Sequence, residues 1–433
     1  MNSTKTNAAI YIIGVLFFIF GFVTWLNSTL ILYLRLVCEL KTDVQAFFVT
    51  FVFYMSYFLL SIPAAAVLKK TGFKKGMAYG LATLAIGALL FVPAASSRSF
   101  PMFLTALFIQ GSGLSLLQTA SNPYISILGP IESAAKRISI MGICNKGAGA
   151  IAPYIMGIVL LNGTDHIRQQ LETMKDPAAR AQMLNELASR VIPPYIVIGI
   201  VLLIVAFLIL RSSLPEIELE TPAQGNSQTA DRNSIFNYPH LLLGALCIFM
   251  YVGVEVMAGD AIGVYGKTEG IPLTITKNFA SYTLSAMLVG YVIGVLCIPK
   301  RFSQQMGLRV SAFLGLVFCT ITFFSTGYTA ILFIILLGLA NALMWPAIWP
   351  LAIDGLGKHI KTGAAMLVMG IAGGAVIPQV YAALKSNPAI GNVHAFYYCT
   401  LPCYAYILFY AIRGHKIGRE KNTPAIVIAR PEL

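Results

Sequence analysis

Residues 118–153 read QTASNPYISILGPIESAAKRISIMGICNKGAGAIAP. The stretch closes one apolar helix, turns through a short basic segment and opens a second helix. Gln118 and Asn122 lie four residues apart, so they share a helix face. Asn145 and Lys146 fall well inside the second helix, whose other basic residues, Lys136 and Arg137, sit at its start. A weaker copy occupies 341–378, NALMWPAIWPLAIDGLGKHIKTGAAMLVMGIAGGAVIP. There Asn341 and Trp345 take the places of Gln118 and Asn122. A proline follows in both copies, and Lys358 and Lys361 repeat the basic loop. Two copies of one unit, each turning polar groups inward, imply a path through a bilayer.

The whole chain fits that reading. Charged residues make up 11% of it and the mean hydropathy is +0.77, values that exclude a soluble globule. Apolar runs near twenty residues or longer fall at roughly 8–36, 45–68, 76–96, 100–129, 137–161, 191–212, 240–264, 278–299, 307–325, 328–356, 362–383 and 393–412. Each is long enough to cross a hydrocarbon core about 30 Å thick. The first lacks a small-residue cleavage site and so reads as a span, not a removed signal peptide. The prediction is an all-α membrane protein of twelve transmembrane helices in two pseudo-symmetric six-helix bundles. The N-terminal bundle covers 1–212, a cytoplasmic linker 213–238, the C-terminal bundle 239–413 and a cytoplasmic tail 414–433. Residues 162–190 read as an external loop of two short amphipathic helices that break at Asp176-Pro177.

A net charge of +13 raises nucleic acid as a partner, but the placement of the charge argues otherwise. Lys69, Lys70, Lys74 and Lys75 lie between spans 2 and 3, Lys300 and Arg301 between 8 and 9, and Arg413, Lys416, Arg419 and Lys421 after span 12. These turns share one side when both termini are cytoplasmic, as the positive-inside rule requires. The turns LKKTGFKKG and IPKRFSQQMG hold matching places in the two halves, a second sign of duplication. The seven cysteines scatter through the spans as small packing residues. The five histidines sit at span ends or in loops, so no metal site emerges. With no Walker loop and no clustered nucleophile, the chain does not read as an enzyme.

Three ionisable residues lie clear of the span ends: Lys146 in span 5, and Glu255 and Asp260 in span 7. An ionised group at mid-depth costs several kcal/mol unless it is paired or wet. At about 1.5 Å per residue, Lys146 and Glu255 reach similar depth, which pairs them across the two halves. Asp260 falls nearer the far mouth. Five residues separate the two acids, about 140° around a helix, so they do not both face inward. For a polyhydroxyl cargo, Asn27, Gln118, Asn122, Asn145 and Asn341 offer amides that match hydroxyls. Trp345 and Trp349 form one aromatic face for a C–H surface to stack on, with Trp25 as the opposite wall. Apart from these candidates, span 2 carries Tyr54, Ser56 and Tyr57.

The twelve runs, the duplicated unit and the run TASNPYISILGP (119–130) resemble the fucose–galactose–glucose:cation symporter family of the major facilitator superfamily. The segment YVGVEVMAGD (251–260) is similar to its glucose/galactose branch. The resemblance implies the major facilitator fold and alternating access, in which two bundles rock about a sugar bound between them. It implies import of a hexose of the glucose or galactose type with a coupling cation, sodium or proton, and no other cofactor. It further implies a monomer in the plasma membrane, the bacterial inner membrane. The chain departs from the fucose branch, whose acidic residues of spans 1 and 4 match Ser28 and Gln118 here. Neither carries a proton. The sugar-contacting Asn of span 5 matches Asn145, and Lys146 stands where a small neutral residue is expected. Two readings stay open. Glu255, alone or with Asp260, couples a cation; or Lys146 binds an acidic sugar such as a uronate or sialate. Import of L-fucose or an amino sugar is the remaining alternative.

Overall fold

The computed structural model describes residues 3–127, 134–212, 234–298 and 301–418. The turn 128–133, most of the expected linker, Lys300, and Arg419 and Lys421 in the tail lie outside the described residues, as do the side chains of Lys358 and Lys361. Among the described residues every regular element is a helix.

Eleven helical segments are long and apolar enough to cross a membrane, and one of them, Phe48–Ser96, is 49 residues long. At about 1.5 Å per residue, a straight rod of that length far exceeds a core of about 30 Å. The chain instead leaves helical geometry at Gly72, where φ is 76° and ψ 172°. A positive φ suits glycine because no Cβ clashes there. Packing shows that the chain reverses at this point. Gly111 meets Phe53 and Ser56, while Gly113, half a turn on, meets Gly80 and Leu84. The two arms therefore lie side by side against the helix Phe100–Ile127. The segment is spans 2 and 3, and the twelve expected spans are present.

Several inner spans are interrupted. Span 1 is Ser3–Trp25 followed by Asn27–Val37, and span 7 is Pro239–Gly259 followed by the short helix Ile262–Thr268. Span 10 is Gly327–Asn341 and Met344–Ile353. Span 11 runs Ile360–Met369, through a tight turn Gly370–Ala372, into Gly373–Lys385. Helix breaks at membrane depth survive where they are buried in protein or line a cavity. Uninterrupted spans such as Ile192–Arg211 and Gln304–Phe323 stand toward lipid, with Val197, Phe207, Val310 and Phe313 exposed.

The loop 162–190 forms the two helices expected, Thr164–Thr173 and Pro177–Ser189. The Asp176 carboxylate caps the second by accepting from the Ala178 amide at 3.0 Å. This lid sits over the end of span 1, where the Tyr33 hydroxyl lies 2.9 Å from the carbonyl oxygens of Leu187 and Ala188.

The two halves meet along a seam with contacts at both ends. At the end reached by span 1, Asp43 is shared between Arg35 of its own half and Lys385 of the other, the latter at 2.5 Å. Gln379 donates to the Val44 carbonyl at 3.2 Å nearby. At the opposite end Ala135 packs with Ile298 and Leu343 of the second half. The glycines of spans 5 and 11 divide between two tasks. Gly142 and Gly374 face Tyr291 and Tyr54 of the other half, whereas Gly149 and Gly373 face Trp25 and Phe249 of their own.

Candidate functional site

Between these two sets of contacts lies a cavity lined by aromatic, amide and charged side chains. Spans 1, 2, 4, 5, 7, 8, 10 and 11 contribute to its wall. Of the residues singled out from the sequence, Trp25, Gln118, Asn122, Asn145, Lys146, Glu255 and Trp345 line it.

The charged centre is a compact cluster. The Lys146 ammonium donates to Glu255 Oε1 at 2.8 Å. The Tyr251 hydroxyl donates to the same oxygen at 2.5 Å. On its other side, Lys146 Nζ stands 4.2 Å from the centroid of the Trp25 ring. The ammonium is thus balanced by a carboxylate and by an aromatic face. Both charged side chains are buried, Lys146 at 6% exposure and Glu255 at 8%. Tyr251 precedes Glu255 by one helical turn, which puts both on one face.

The amides fall into two sets. Gln118 donates to the Tyr57 hydroxyl at 3.3 Å, and Asn145 to the Phe17 carbonyl at 3.3 Å; both remain partly exposed to the cavity. Asn122 is buried in the wall beside them. Asn27 and Asn341 do not reach the cavity. Asn27 is buried at the break in span 1. Asn341 accepts from Tyr404 at 2.9 Å, a helix-to-helix bond inside the second half, so the repeat that aligns it with Gln118 does not carry the same exposure. Of the tryptophan pair, Trp345 faces the cavity and stacks on Trp349 at 5.3 Å and 30°. Trp349 has no exposed surface and supports Trp345 from behind. Asp260 is not at an open mouth. It caps the end of Pro239–Gly259 at 1% exposure and does not line the cavity.

Sequence reasoning missed much of the aromatic lining: Phe17, Phe20, Tyr54, Tyr57, Tyr251 and Tyr291. The i,i+4 spacing of Tyr251 and Glu255 was a usable signal. Tyr291 offers none, since it sits in an apolar run with no polar neighbour on its face.

Against known proteins, the Major Facilitator Superfamily model matches residues 13–378. The chain belongs to that superfamily. Its two-bundle, twelve-span architecture is the superfamily's fold. The chain is 33% identical over 404 residues to a glucose/galactose transporter of Brucella abortus, covering 93% of this chain and 92% of the relative. It is 28% identical to the L-fucose-proton symporter of Escherichia coli, covering 92% and 90%. The crystal structure of the E. coli fucose:proton symporter superposes with a TM-score of 0.75 at 26% identity, covering 94% of this chain and 98% of that one. A proton:xylose symporter bound to 6-bromo-6-deoxy-D-glucose shares the fold at a TM-score of 0.67 and 15% identity.

Proposed function

We propose that this superfamily member imports a neutral hexose, of the glucose or galactose type, with a cation by alternating access. The observation that carries the reading is the make-up of the cavity wall. Amides of Gln118, Asn122 and Asn145 stand with the faces of Trp25 and Trp345 around it. Amides exchange hydrogen bonds with hydroxyls, and indole faces take the apolar C–H side of a sugar ring. The names of the relatives at 33% and 28% identity, a glucose/galactose transporter and an L-fucose-proton symporter, support the same substrate class. The two separate sets of contacts across the seam support alternating access, because opening either end needs only one set to part.

The pairing of Lys146 with Glu255 disfavours an acidic sugar. Among the described residues, these are the charged groups in the cavity wall, and together they are neutral. A uronate or sialate would have to take the lysine from a partner it already holds at 2.8 Å. The distribution of lysine and arginine supports cytoplasmic termini, and we place the protein in a bacterial inner membrane on that basis together with its relatives' organisms.

Counterflow in proteoliposomes tests the substrate. Vesicles preloaded with glucose or galactose should take up the labelled sugar transiently, while preloading with a hexuronate should not support uptake. Counterflow with the hexuronate but with neither hexose would overturn the reading and favour the acidic sugar.

A further inference from the structure

Lys146 and Glu255 form a closed account of charge, but span 7 brings a second carboxylate to the same place. Asp260 lies where Pro239–Gly259 ends, with the Val256 carbonyl accepting from the amides of both Asp260 and Ala261 at 2.7 and 3.1 Å. It is 1% exposed, and neither carboxylate oxygen has a hydrogen-bond partner among the described residues. The break of span 1 abuts it: a Cβ added at Gly259 would stand 2.4 Å from the Trp25 ring. Two further buried polar atoms at that break, Trp25 Nε1 and Asn27 Nδ2, also lack a partner. The titratable groups within electrostatic reach of Asp260 are Glu255 on its own span, Lys146 on span 5 and Tyr54 on span 2.

The charges at this junction are therefore two carboxylates and one ammonium. Ionised, they leave one negative charge in a dry interior, which costs several kcal/mol unless something offsets it. Glu255 is already satisfied twice, by Lys146 and by Tyr251. Asp260 has no hydrogen-bond partner among the described residues and only shares the field of an ammonium already bound to Glu255.

We propose that Asp260, not Glu255, holds the coupling cation. The site takes one monovalent positive charge, a sodium ion or a proton, at the junction of the broken spans 1 and 7. Glu255 serves as the fixed counter-ion of Lys146. This rests on the reading of the protein as a cation-coupled importer and assigns its coupling site. The location couples charge to cargo directly, because Trp25 touches Gly259 on one side and lines the sugar cavity on the other. Filling Asp260 fixes the helix break against which Trp25 packs.

The test uses the full-length protein in proteoliposomes, with sugar uptake driven by a sodium gradient alone or by a proton gradient alone. The wild type should accumulate sugar in one of the two arms, which identifies the ion, and should carry one positive charge per sugar as a current. Asp260→Asn should still exchange labelled sugar in counterflow, more slowly, but should neither accumulate it nor pass sugar-dependent current in either arm. Asp260→Glu, which keeps the charge, should restore accumulation with a shifted cation half-saturation; it also covers the case in which Asp260→Asn does not fold. Gradient-driven accumulation by Asp260→Asn would overturn the assignment. So would an Asp260→Glu protein that folds and exchanges but responds to neither gradient. Failure of the hexose reading is a different result: a wild type with no counterflow of any hexose.

Discussion

Lys146→Met in purified protein is expected to lower the melting temperature sharply, and Glu255→Met to lower it by less. Removing Lys146 strands the carboxylates of Glu255 and Asp260 without their ammonium, at a cost of about 3–5 kcal/mol, whereas removing Glu255 leaves Lys146 within electrostatic reach of Asp260. Lys146 sits at 6% exposure and Glu255 at 8%, so a stranded group stays largely desolvated in the cavity wall. Lys146→Glu should be worse, since it adds a carboxylate beside Glu255 and Asp260. Exchanging the two, Lys146→Glu with Glu255→Lys, should recover much of the loss but not all. The swapped ammonium no longer lies over Trp25, and the Tyr251 hydroxyl no longer meets a carboxylate. A cation over an indole is worth about 0.5–2 kcal/mol. Thermal melts of the two single variants and the double variant decide it. A double variant no more stable than the worse single one would show that the 2.8 Å contact does not hold the halves in register.

Gly373→Ala and Gly21→Ala should each destabilise the fold, whereas Gly147→Ala should not. A Cβ at Gly373 would lie 1.8 Å from the Phe249 carbonyl oxygen, and one at Gly21 would lie 1.9 Å from that of Asn145. Backbone carbonyls in a helix do not rotate away, so spans 11 and 7, or 1 and 5, must separate. Overpacking of this kind costs about 1–3 kcal/mol, occasionally more. At Gly147 an added Cβ meets nothing within 4 Å, and alanine is the better helix former by about 1 kcal/mol. Gly21→Ala should also depress transport, because it displaces the turn that presents Asn145 and Lys146 to the cavity. The measurement is the melting temperature of the three variants beside wild type. Equal melting of all three would remove the close-packing account of these helices.

The sequence made the fold legible because lipid imposes a severe rule: each span must be mostly apolar and must satisfy its backbone polar groups internally, by helix or in a protein-lined break. Twelve runs and a repeated loop sufficed. The reversal at Gly72 was legible as a basic turn, although helical geometry continues almost up to it. The site was legible where a residue type was costly in lipid. Lys146 and Glu255 stood out for that reason, and depth alone paired them. Amides were less informative, because a helix-to-helix bond and a cargo contact need the same chemistry. Gln118 and Asn145 reach the cavity, but Asn341 is bonded to Tyr404, and no pattern in the chain separates these cases. Trp349 illustrates the same limit for aromatics. Its i,i+4 spacing from Trp345 placed both on one face correctly, yet only Trp345 reaches the cavity and Trp349 is buried behind it. The breaks in spans 1, 7, 10 and 11 fall beside Asn27–Thr29, Gly259-Asp260, Asn341 and Gly370–Gly374, but polar residues and glycines stand in unbroken spans too, so they did not mark where helical geometry stops.

The claim on which the account turns is that a hexose binds between the halves, against Trp25 and Trp345. The protein has three tryptophans, two of them in the cavity wall and the third stacked behind one of those, so intrinsic tryptophan emission reports this place. Titration of the purified protein with D-glucose and D-galactose should give a saturating change in emission for at least one, absent with L-glucose and abolished by Asn145→Ala in protein that still melts cooperatively. Emission that fails to respond to either D-hexose, or that responds identically to L-glucose, would contradict it.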